Sequence, residues 1–321
     1  MPNSKSDGHG LGQSKIRSYV LSVNANNNSE TIGLIEGGGT KFILAVASTS
    51  GLILKRKTIK TELPDATLRQ IFSFFDQFES LVGFGCGIFG PLNLDKNSPN
   101  FGIILNTPKP KWSGVNIKRM LEKRYSVSVF IETDVNTAAL GCYHLRDLPN
   151  SQLISYITIG TGIGIGNILN GEIVRGQHHN EAGHSIIHHA GELDSQCPFH
   201  ENCVEGLASG SAFKKNFGDK GKNLAIDELS WSIEIKLLAQ FIYNQICFVT
   251  PDYIFLGGGL ISEKIKTPLI NHIIKINNGY LTHISQSSLN CKIQFVGNKN
   301  YALFGAFKLA TANHSKLTKF M

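Results

Sequence analysis

Residues 31–58 read TIGLIEGGGTKFILAVASTSGLILKRKT, and this stretch decides the fold. It contains three apolar runs, with a glycine cluster between the first two and a Ser-Gly turn before the third. Apolar runs joined by short turns predict a β-meander of three strands. Glycines adopt backbone conformations closed to other residues, which lets a phosphate approach the main-chain N–H groups of such a turn. Two interpretations stay open, a plain hairpin turn and a phosphate-binding turn formed by Gly37, Gly38, Gly39, Thr40 and Lys41.

A second stretch, LISYITIGTGIGIGNILNGEIVRG at residues 153–176, repeats this design. Its glycine turn is followed by a strand and by Asn170-Gly171, a pair typical of a two-residue hairpin turn. The two glycine turns begin 123 residues apart (160 minus 37), which indicates a duplicated fold with one phosphate-binding turn in each half. A ligand can also lie against backbone at the compact stretch 206–210 and at a third glycine cluster. The added candidates are Gly160, Thr161, Gly162, Gly210, Gly257, Gly258 and Gly259.

The segment between the two stretches has an α/β pattern. Residues 67–79 place apolar side chains at helical spacing, which predicts a helix that packs on the sheet through Ile71, Phe74, Phe75 and Phe78. Residues 81–94 predict a buried strand that ends in a loop, and ligand-binding loops gather at the carboxyl ends of strands in such sheets. The next loop contains Asn106 and Trp112. A sugar contact and a surface loop anchored by the tryptophan are both open there.

Asp134 lies where a predicted strand gives way to a predicted helix, in the sequence ETDVNTAAL at 132–140. A carboxylate at such a junction is held rigidly at the edge of a cleft. It is therefore a candidate catalytic base. Capping of the helix by the same carboxylate is the other interpretation, since aspartate is a favoured N-cap residue.

Residues 181–205, EAGHSIIHHAGELDSQCPFHENCVE, contain a C-x-x-H-x-x-C run formed by Cys197, His200 and Cys203. Three histidines, at 184, 188 and 189, lie just upstream. Four nitrogen and sulfur donors are the ligand set of a tetrahedral zinc site. The spacing alone leaves open which upstream histidine completes it. The two carboxylates that flank the loop, Glu181 and Glu205, are free to face a polar ligand.

Composition limits the possible function classes. The 321 residues suffice for two lobes. No apolar run approaches the roughly 20 residues that a membrane helix needs. Lys and Arg outnumber Asp and Glu by 31 to 24, but they are scattered, so we expect no nucleic-acid partner. Residues 1–30 lack the apolar core of a secretory signal and are expected to form a disordered tail.

Cysteine usage favours a reducing compartment. Cys86, Cys142, Cys247 and Cys291 sit in apolar sequence settings and are predicted to be buried thiols. The remaining two cysteines belong to the C-x-x-H-x-x-C run. No disulfide framework is implied, and we expect a cytoplasmic protein.

Six motifs occur in the order found in the ROK family of sugar kinases, and the chain resembles that family from about residue 31 to 312, most closely its fructokinase-like branch. The resemblance implies a two-lobed, actin-like (ribonuclease H-like) ATPase fold. It places an N-terminal lobe at residues 31–138 plus 302–321 and a C-terminal lobe with the zinc loop at 139–301. The motifs are Glu36-Gly37-Gly38-Gly39-Thr40-Lys41, Thr133-Asp134-Val135-Asn136, Gly160-Thr161-Gly162-Ile163-Gly164, Glu181-Ala182-Gly183-His184, the C-x-x-H-x-x-C run and Gly257-Gly258-Gly259.

The resemblance also implies roles for individual residues. Asp134 matches the catalytic base, and the sugar ligands are expected to be Asn106, Asp134, Glu181 and Glu205. The glycine turns are expected to hold ATP with Mg²⁺, and the third glycine cluster is expected near the adenosine. His184 matches the first ligand of a structural Zn²⁺, ahead of Cys197, His200 and Cys203, which makes the other two upstream histidines bystanders.

The predicted activity is ATP-dependent phosphorylation of the 6-hydroxyl of fructose, with the sugar and ATP as ligands and a homodimer as the assembly. The chain departs from the family at Glu36, where Asp is frequent, and at His178-His179 before Glu181. Glucose, mannose or another hexose is the alternative acceptor. A non-catalytic sugar-binding regulator is the alternative class, although family repressors carry a helix-turn-helix for which the 30-residue, Asn-rich tail is too short.

Overall fold

The computed structural model describes residues 30–312, except 147, 149–151, 190, 192, 219–227 and 298–299. The tail predicted at residues 1–30 lies outside the described residues apart from Glu30. Within the described ranges the chain forms two five-stranded mixed sheets with helices packed on them. None of the helices in these ranges is long and apolar enough to span a bilayer.

The first sheet has the strand order β3-β2-β1-β4-β5. Its strands are β1 (Thr31–Gly37), β2 (Lys41–Ser48), β3 (Ile53–Lys60), β4 (Leu81–Ile88) and β5 (Ser128–Thr133). The predicted three-strand meander is confirmed, because β1, β2 and β3 pair antiparallel in sequence order. Parallel pairing of β1 with β4 and of β4 with β5 brings the carboxyl ends of these three strands to one edge.

One face of this sheet is covered by α1 (Pro64–Phe75) and α2 (Ile117–Tyr125). The predicted apolar helix is confirmed, with Ile71, Phe74 and Phe75 buried in the core. It begins earlier than predicted, at Pro64, and also ends earlier, because its C-cap falls at Asp76. Phe78 therefore packs against the core from the turn after the helix.

The second sheet has the order β10-β9-β6-β7-β8. Its strands are β6 (Leu153–Ile159), β7 (Ile163–Leu169), β8 (Glu172–Ile173), β9 (Tyr253–Gly257) and β10 (Ile293–Phe295). If β6 to β10 are matched in chain order to β1 to β5, the two sheets have the same strand order, written here in opposite directions. The predicted duplication is therefore confirmed. The predicted hairpin after β7 is confirmed too, since Asn170 and Gly171 both have positive φ, 55° and 80°, as a type I′ turn requires.

One face of the second sheet packs against a group of helices that follows the C-x-x-H-x-x-C run. These are α4 (Val204–Ala208), α5 (Gly210–Phe217), α6 (Leu229–Val249), α7 (Lys266–Asn277) and α8 (Gln286–Lys292). The long helix α6 begins at Leu229, and this first helical residue is 71% exposed.

The two sheets are joined by α3 (Asp134–Leu145) and α9 (Tyr301–Ala312), which pack against each other. Glycine is required at this contact: a β-carbon on Gly305 would lie 1.7 Å from the carbonyl oxygen of Thr137. The predicted lobe boundaries at residues 138 and 302 both fall inside these two packed helices. The division into lobes at these residues stays a prediction.

The predictions for the four isolated cysteines are half right. Cys86 and Cys142 are buried, whereas Cys247 and Cys291 are exposed. Cys247 is on the solvent side of α6, next to Phe248, which is 80% exposed. The other neighbour of Cys247, Ile246, is buried, so adjacent apolar residues on α6 do not share one face.

Candidate active site

A cavity of about 810 Å³ is lined by residues from both halves of the chain. The two glycine turns meet at it, and the hydroxyl oxygens of Thr40 and Thr161 are 3.0 Å apart. The cavity wall brings together most of the side chains that the sequence singled out. They are Glu36, Gly38, Gly39, Thr40, Lys41, Asn106, Asp134, Gly160, Thr161, Gly162, Glu181, His184, His200 and Glu205.

The first glycine turn joins β1 to β2 and is closed by a hydrogen bond from Gly38 N to the Lys41 carbonyl oxygen, 2.9 Å. Gly37 is not part of the cavity wall; a β-carbon there would meet the ring of Phe42 at 2.5 Å, so this glycine serves packing. Lys109 reaches over the turn from a separate loop. Its Nζ lies 3.0 Å from where a β-carbon on Gly39 would be.

The second glycine turn joins β6 to β7, and backbone hydrogen bonds support it on the side away from the cavity. Gly210 N donates to the Gly160 carbonyl oxygen at 2.6 Å, and Leu260 N donates to the Ile159 carbonyl oxygen at 3.1 Å. Gly258 has a φ of 105° and sits directly against the backbone of Ile159. The structure therefore places Gly210 and the cluster at 257–259 behind the turn rather than in the cavity wall.

Asp134 is the first residue of α3, at the carboxyl end of β5. The N-cap is Thr133, whose Oγ1 accepts from Asn136 N at 3.2 Å, so the aspartate is not needed to cap the helix. Its Oδ1 accepts from Val135 N at 2.8 Å, which fixes the carboxylate. Burial, with the nearby Glu36 and Glu205 carboxylates adding repulsion, raises the pKa of Asp134 to about 6. A carboxyl that titrates near neutrality in a cleft has the properties of a general base.

Two further carboxylates face Asp134. Burial, followed by the charges of Glu205 and Asp134, raises the pKa of Glu181 to about 7. Glu205 lies in the first turn of α4, and its Oε2 accepts from Ile163 N at 2.8 Å. Mutual repulsion of three carboxylates in one cleft is relieved by a ligand that donates hydrogen bonds to them, as a polyol does.

The side chains of His184, Cys197, His200 and Cys203 converge, with ligand atoms within 4.8 Å of one another. Three sulfur-to-nitrogen distances in this cluster are 3.4, 3.7 and 3.7 Å. The other upstream histidines point elsewhere. His189 Nδ1, for example, accepts from Gly191 N at 3.1 Å.

This Cys/His cluster adjoins the three carboxylates through His184. Its Nδ1 faces the two sulfurs, while its Nε2 lies 3.7 Å from Glu205 Oε1. His184 also ends the short 3-10 turn, Ala182–His184, that begins directly after Glu181. Both glutamates are therefore anchored next to the cluster.

Comparison with known proteins gives consistent matches over most of the chain. A sequence profile of the ROK family matches residues 32–313. A fructokinase from Streptococcus mutans is 36% identical over 244 residues, which cover 74% of this chain and 82% of that protein. A fructokinase from Zymomonas mobilis is 34% identical over 302 residues, which cover 90% of this chain and 99% of that protein.

Solved structures share the fold. A ROK family glucokinase from Streptomyces griseus, determined in complex with glucose and AMPPNP, aligns with a TM-score of 0.65 at 20% identity. The alignment covers 89% of this chain and 100% of that one.

Proposed function

The chain belongs to the ROK family and is a sugar kinase, and from that premise we propose that it transfers the γ-phosphate of ATP to the 6-hydroxyl of fructose. One cavity carries this proposal, because it combines two facing glycine turns with a buried carboxyl whose pKa is raised to about 6. The fructokinases that match most of the chain support fructose as the acceptor.

Asp134 is the proposed general base. Its carboxylate accepts the proton of the 6-hydroxyl while that oxygen forms a bond to the γ-phosphorus, and the bond from phosphorus to the β,γ-bridging oxygen breaks to release ADP. The enzyme's contribution to such a transfer is positioning and charge stabilisation. We assign Asn106, Glu181 and Glu205 to the other sugar hydroxyls, since they line the same cavity.

The glycine turns are the proposed site of the ATP phosphates. Thr40 and Lys41 in the first turn, and Thr161 in the second, supply hydroxyls and a positive charge beside exposed main-chain N–H groups. Glu36 lines the cavity and is the carboxylate available to Mg²⁺ through water. The brace formed by Gly210 and residues 257–259 then supports the second turn from the proposed adenosine side.

The donor set fits a zinc ion. In a tetrahedral site with Zn–S near 2.3 Å and Zn–N near 2.0 Å, a sulfur and a nitrogen ligand lie roughly 3.5 Å apart. The observed sulfur-to-nitrogen distances, 3.4 to 3.7 Å, fall at this value. We infer that His184, Cys197, His200 and Cys203 hold a structural Zn²⁺. A filled set of four protein ligands leaves no position for substrate, so the ion would orient the loop rather than join the reaction.

The finer fold assignment is part of the same proposal. A duplicated five-stranded sheet, with a ligand cleft between the halves, supports the two-lobed actin-like description and the lobe limits at 31–138 plus 302–321 and 139–301. The homodimer and the cytoplasmic location stay predictions.

A hexose panel tests the function. Purified protein with Mg²⁺-ATP is expected to phosphorylate fructose with the highest kcat/KM among fructose, glucose, mannose and N-acetylmannosamine. A higher value for another hexose would reassign the acceptor. Binding of sugar without consumption of ATP would favour a sugar-binding regulator and overturn the kinase proposal.

Lys109 is expected to contribute to ATP binding, although the sequence had marked its loop only as a possible sugar contact. The loop is fixed by Trp112, whose Nε1 donates to the Glu62 carbonyl oxygen at 2.9 Å and whose ring stacks on Phe42. No carboxylate of the described residues pairs with the Lys109 ammonium group, which lies over the glycine turn. An anion placed on that turn would be its natural partner.

We therefore expect Lys109→Met to raise the KM for ATP about tenfold or more, because a hydrogen bond to a charged group contributes about 1.5–3 kcal/mol. Lys109→Arg is expected to recover part of the loss. Lys111→Asn is the matched control: the exposed Lys111 has a φ of 61°, which asparagine tolerates. Equal effects of the two lysine removals on the KM for ATP would contradict a specific role of Lys109.

A further inference from the structure

His179 is a buried side chain that the proposed reaction does not use. It is 9% exposed, and its Nε2 accepts a hydrogen bond from the main-chain N–H of Leu92 at 2.9 Å. Its Nδ1 lies 3.3 Å from Glu181 Oε1 and 3.5 Å from the Asn180 carbonyl oxygen. The imidazole thus stands between the loop after β4 and a proposed sugar-binding carboxylate.

The contact with Leu92 fixes the tautomer of this histidine. A ring nitrogen that accepts from an N–H group has a free lone pair, so the ring proton is on Nδ1. Burial also lowers the pKa of His179, which keeps the ring neutral. Its Nδ1 therefore carries the proton, with the Asn180 carbonyl oxygen at 3.5 Å as its hydrogen-bond partner and Glu181 Oε1 beside it at 3.3 Å.

Both ends of this connection are rigid. Leu92 is fully buried and forms an isolated bridge with Ile104. The segment leading to His179 is held by an ion pair between Arg175 and Glu132, a β5 residue that is 1% exposed. The segment that follows the second sheet is therefore attached to the first sheet by this ion pair before the chain reaches Glu181.

Glu181 itself has little else to hold it. Although its carboxyl is partly shielded within the cleft, its side chain as a whole is 47% exposed, and among the described residues His179 is the one at ion-pair distance from its carboxylate. If one carboxylate oxygen is held by the imidazole, the other stays free to accept sugar hydroxyls. A glutamate without this restraint would lose rotamer freedom only when sugar binds, at a cost in affinity.

We propose that His179 is a positioning residue that orients the Glu181 carboxylate for hexose binding, and that its hydrogen bond with the loop after β4 holds it in place. The inference rests on the proposed function for the identity of the ligand. The inference goes beyond the proposed function by assigning a contribution to hexose affinity to a residue that takes no part in phosphoryl transfer.

Substitutions at position 179 separate its two contacts. His179→Leu removes both and is expected to raise the KM for hexose about tenfold or more, with the KM for ATP changed less than about twofold. His179→Asn keeps an amide donor at the position of Nδ1 and is expected to retain more hexose affinity than His179→Gln, whose amide reaches the position of Nε2. The exposed neighbour supplies the control, His178→Gln, with no change expected.

A double-mutant cycle shows whether His179 affects hexose binding through Glu181. In a Glu181→Gln background, His179→Leu is expected to cause little further loss of hexose affinity, because coupled residues are not additive. Thermal unfolding and ATP binding of each variant check that the fold is intact. Additive losses, or a hexose KM within about twofold of wild type in His179→Leu, would overturn the inference.

If the proposed function itself is wrong, the wild-type protein gives a result that differs from those above. Wild-type protein that phosphorylates no hexose would refute the kinase assignment for this site. Hexose binding measured by titration calorimetry would then decide the inference, since equal affinities of wild type and His179→Leu, or the absence of hexose binding, would overturn it.

Discussion

Replacing Asp134 with Asn is expected to lower kcat by about 10²- to 10⁴-fold, the range typical of a lost general base. The amide cannot accept the proton of the 6-hydroxyl, but its oxygen can still accept from Val135 N, as the carboxylate does at 2.8 Å. Thr133 continues to cap α3. The fold and the affinity for hexose are therefore expected to survive, and a coupled assay with calorimetric sugar titration measures the two effects separately.

The pH profile of the wild-type enzyme tests the same carboxyl. Burial and neighbouring carboxylates raise the pKa of Asp134 to about 6, and only the ionised form accepts a proton. Activity is thus expected on the alkaline side and to fall as pH drops through this value. Glu181, with its pKa raised to about 7, adds to the acid limb of kcat/KM, so the fitted values belong to the interacting group of carboxyls.

Asp95→Asn is a suitable control for the base. Its Oδ1 also accepts a nearby main-chain N–H, from Asn97 at 2.9 Å, but the residue does not line the cavity. We expect this variant to match the wild type in kcat. A value for Asp134→Asn above about a tenth of the wild-type kcat would contradict its role as the base.

Local patterns predicted much of this site. The glycine turns could be found because each lies between two apolar runs, and the pairing of β1 with β2 and of β6 with β7 follows from such runs. Asp134 was placed correctly because a strand and a helix adjoin it directly in sequence. Three soft donors in seven residues marked residues 197–203 as a candidate metal site without any knowledge of the fold.

Contacts between distant segments could not be predicted in this way. His179 and Leu92 are 87 residues apart, and no pattern around either residue indicates that they meet. Lys109 lies over the first glycine turn in a loop that Trp112 packs against Phe42, a contact between distant parts of the sequence. The exposed Cys247 illustrates the same limit, since composition does not reveal which face of a helix meets the core.

Replacing Cys203 with Ser is expected to remove the bound zinc and to weaken hexose binding by about 10- to 100-fold, the range found when residues that orient a site are lost. Serine retains a polar atom that can cap α4, as Cys203 Sγ does by accepting from Gly206 N at 3.3 Å. It does not supply a thiolate to the ion. The substitution therefore removes the metal ligand while preserving the local hydrogen bond.

The exposed cysteines give matched controls, because Cys247→Ser and Cys291→Ser remove a thiol that does not belong to the cluster. Both are expected to keep one zinc per chain and wild-type hexose affinity. Elemental analysis measures the zinc content, sugar titration measures the hexose affinity, and thermal unfolding checks that the fold is intact. Treatment of the wild type with a chelator is expected to reproduce the loss of hexose affinity, and added Zn²⁺ is expected to restore it.

The expected loss of sugar binding follows from where the two glutamates are attached. Glu181 directly precedes the turn that ends in His184, and Glu205 follows Cys203 by two residues on α4. Without the ion, the two attachment points are no longer tied to each other, and repulsion among Glu181, Glu205 and Asp134 favours their separation. A Cys203→Ser protein that lacks zinc yet binds hexose as the wild type does would show that packing alone positions these carboxylates.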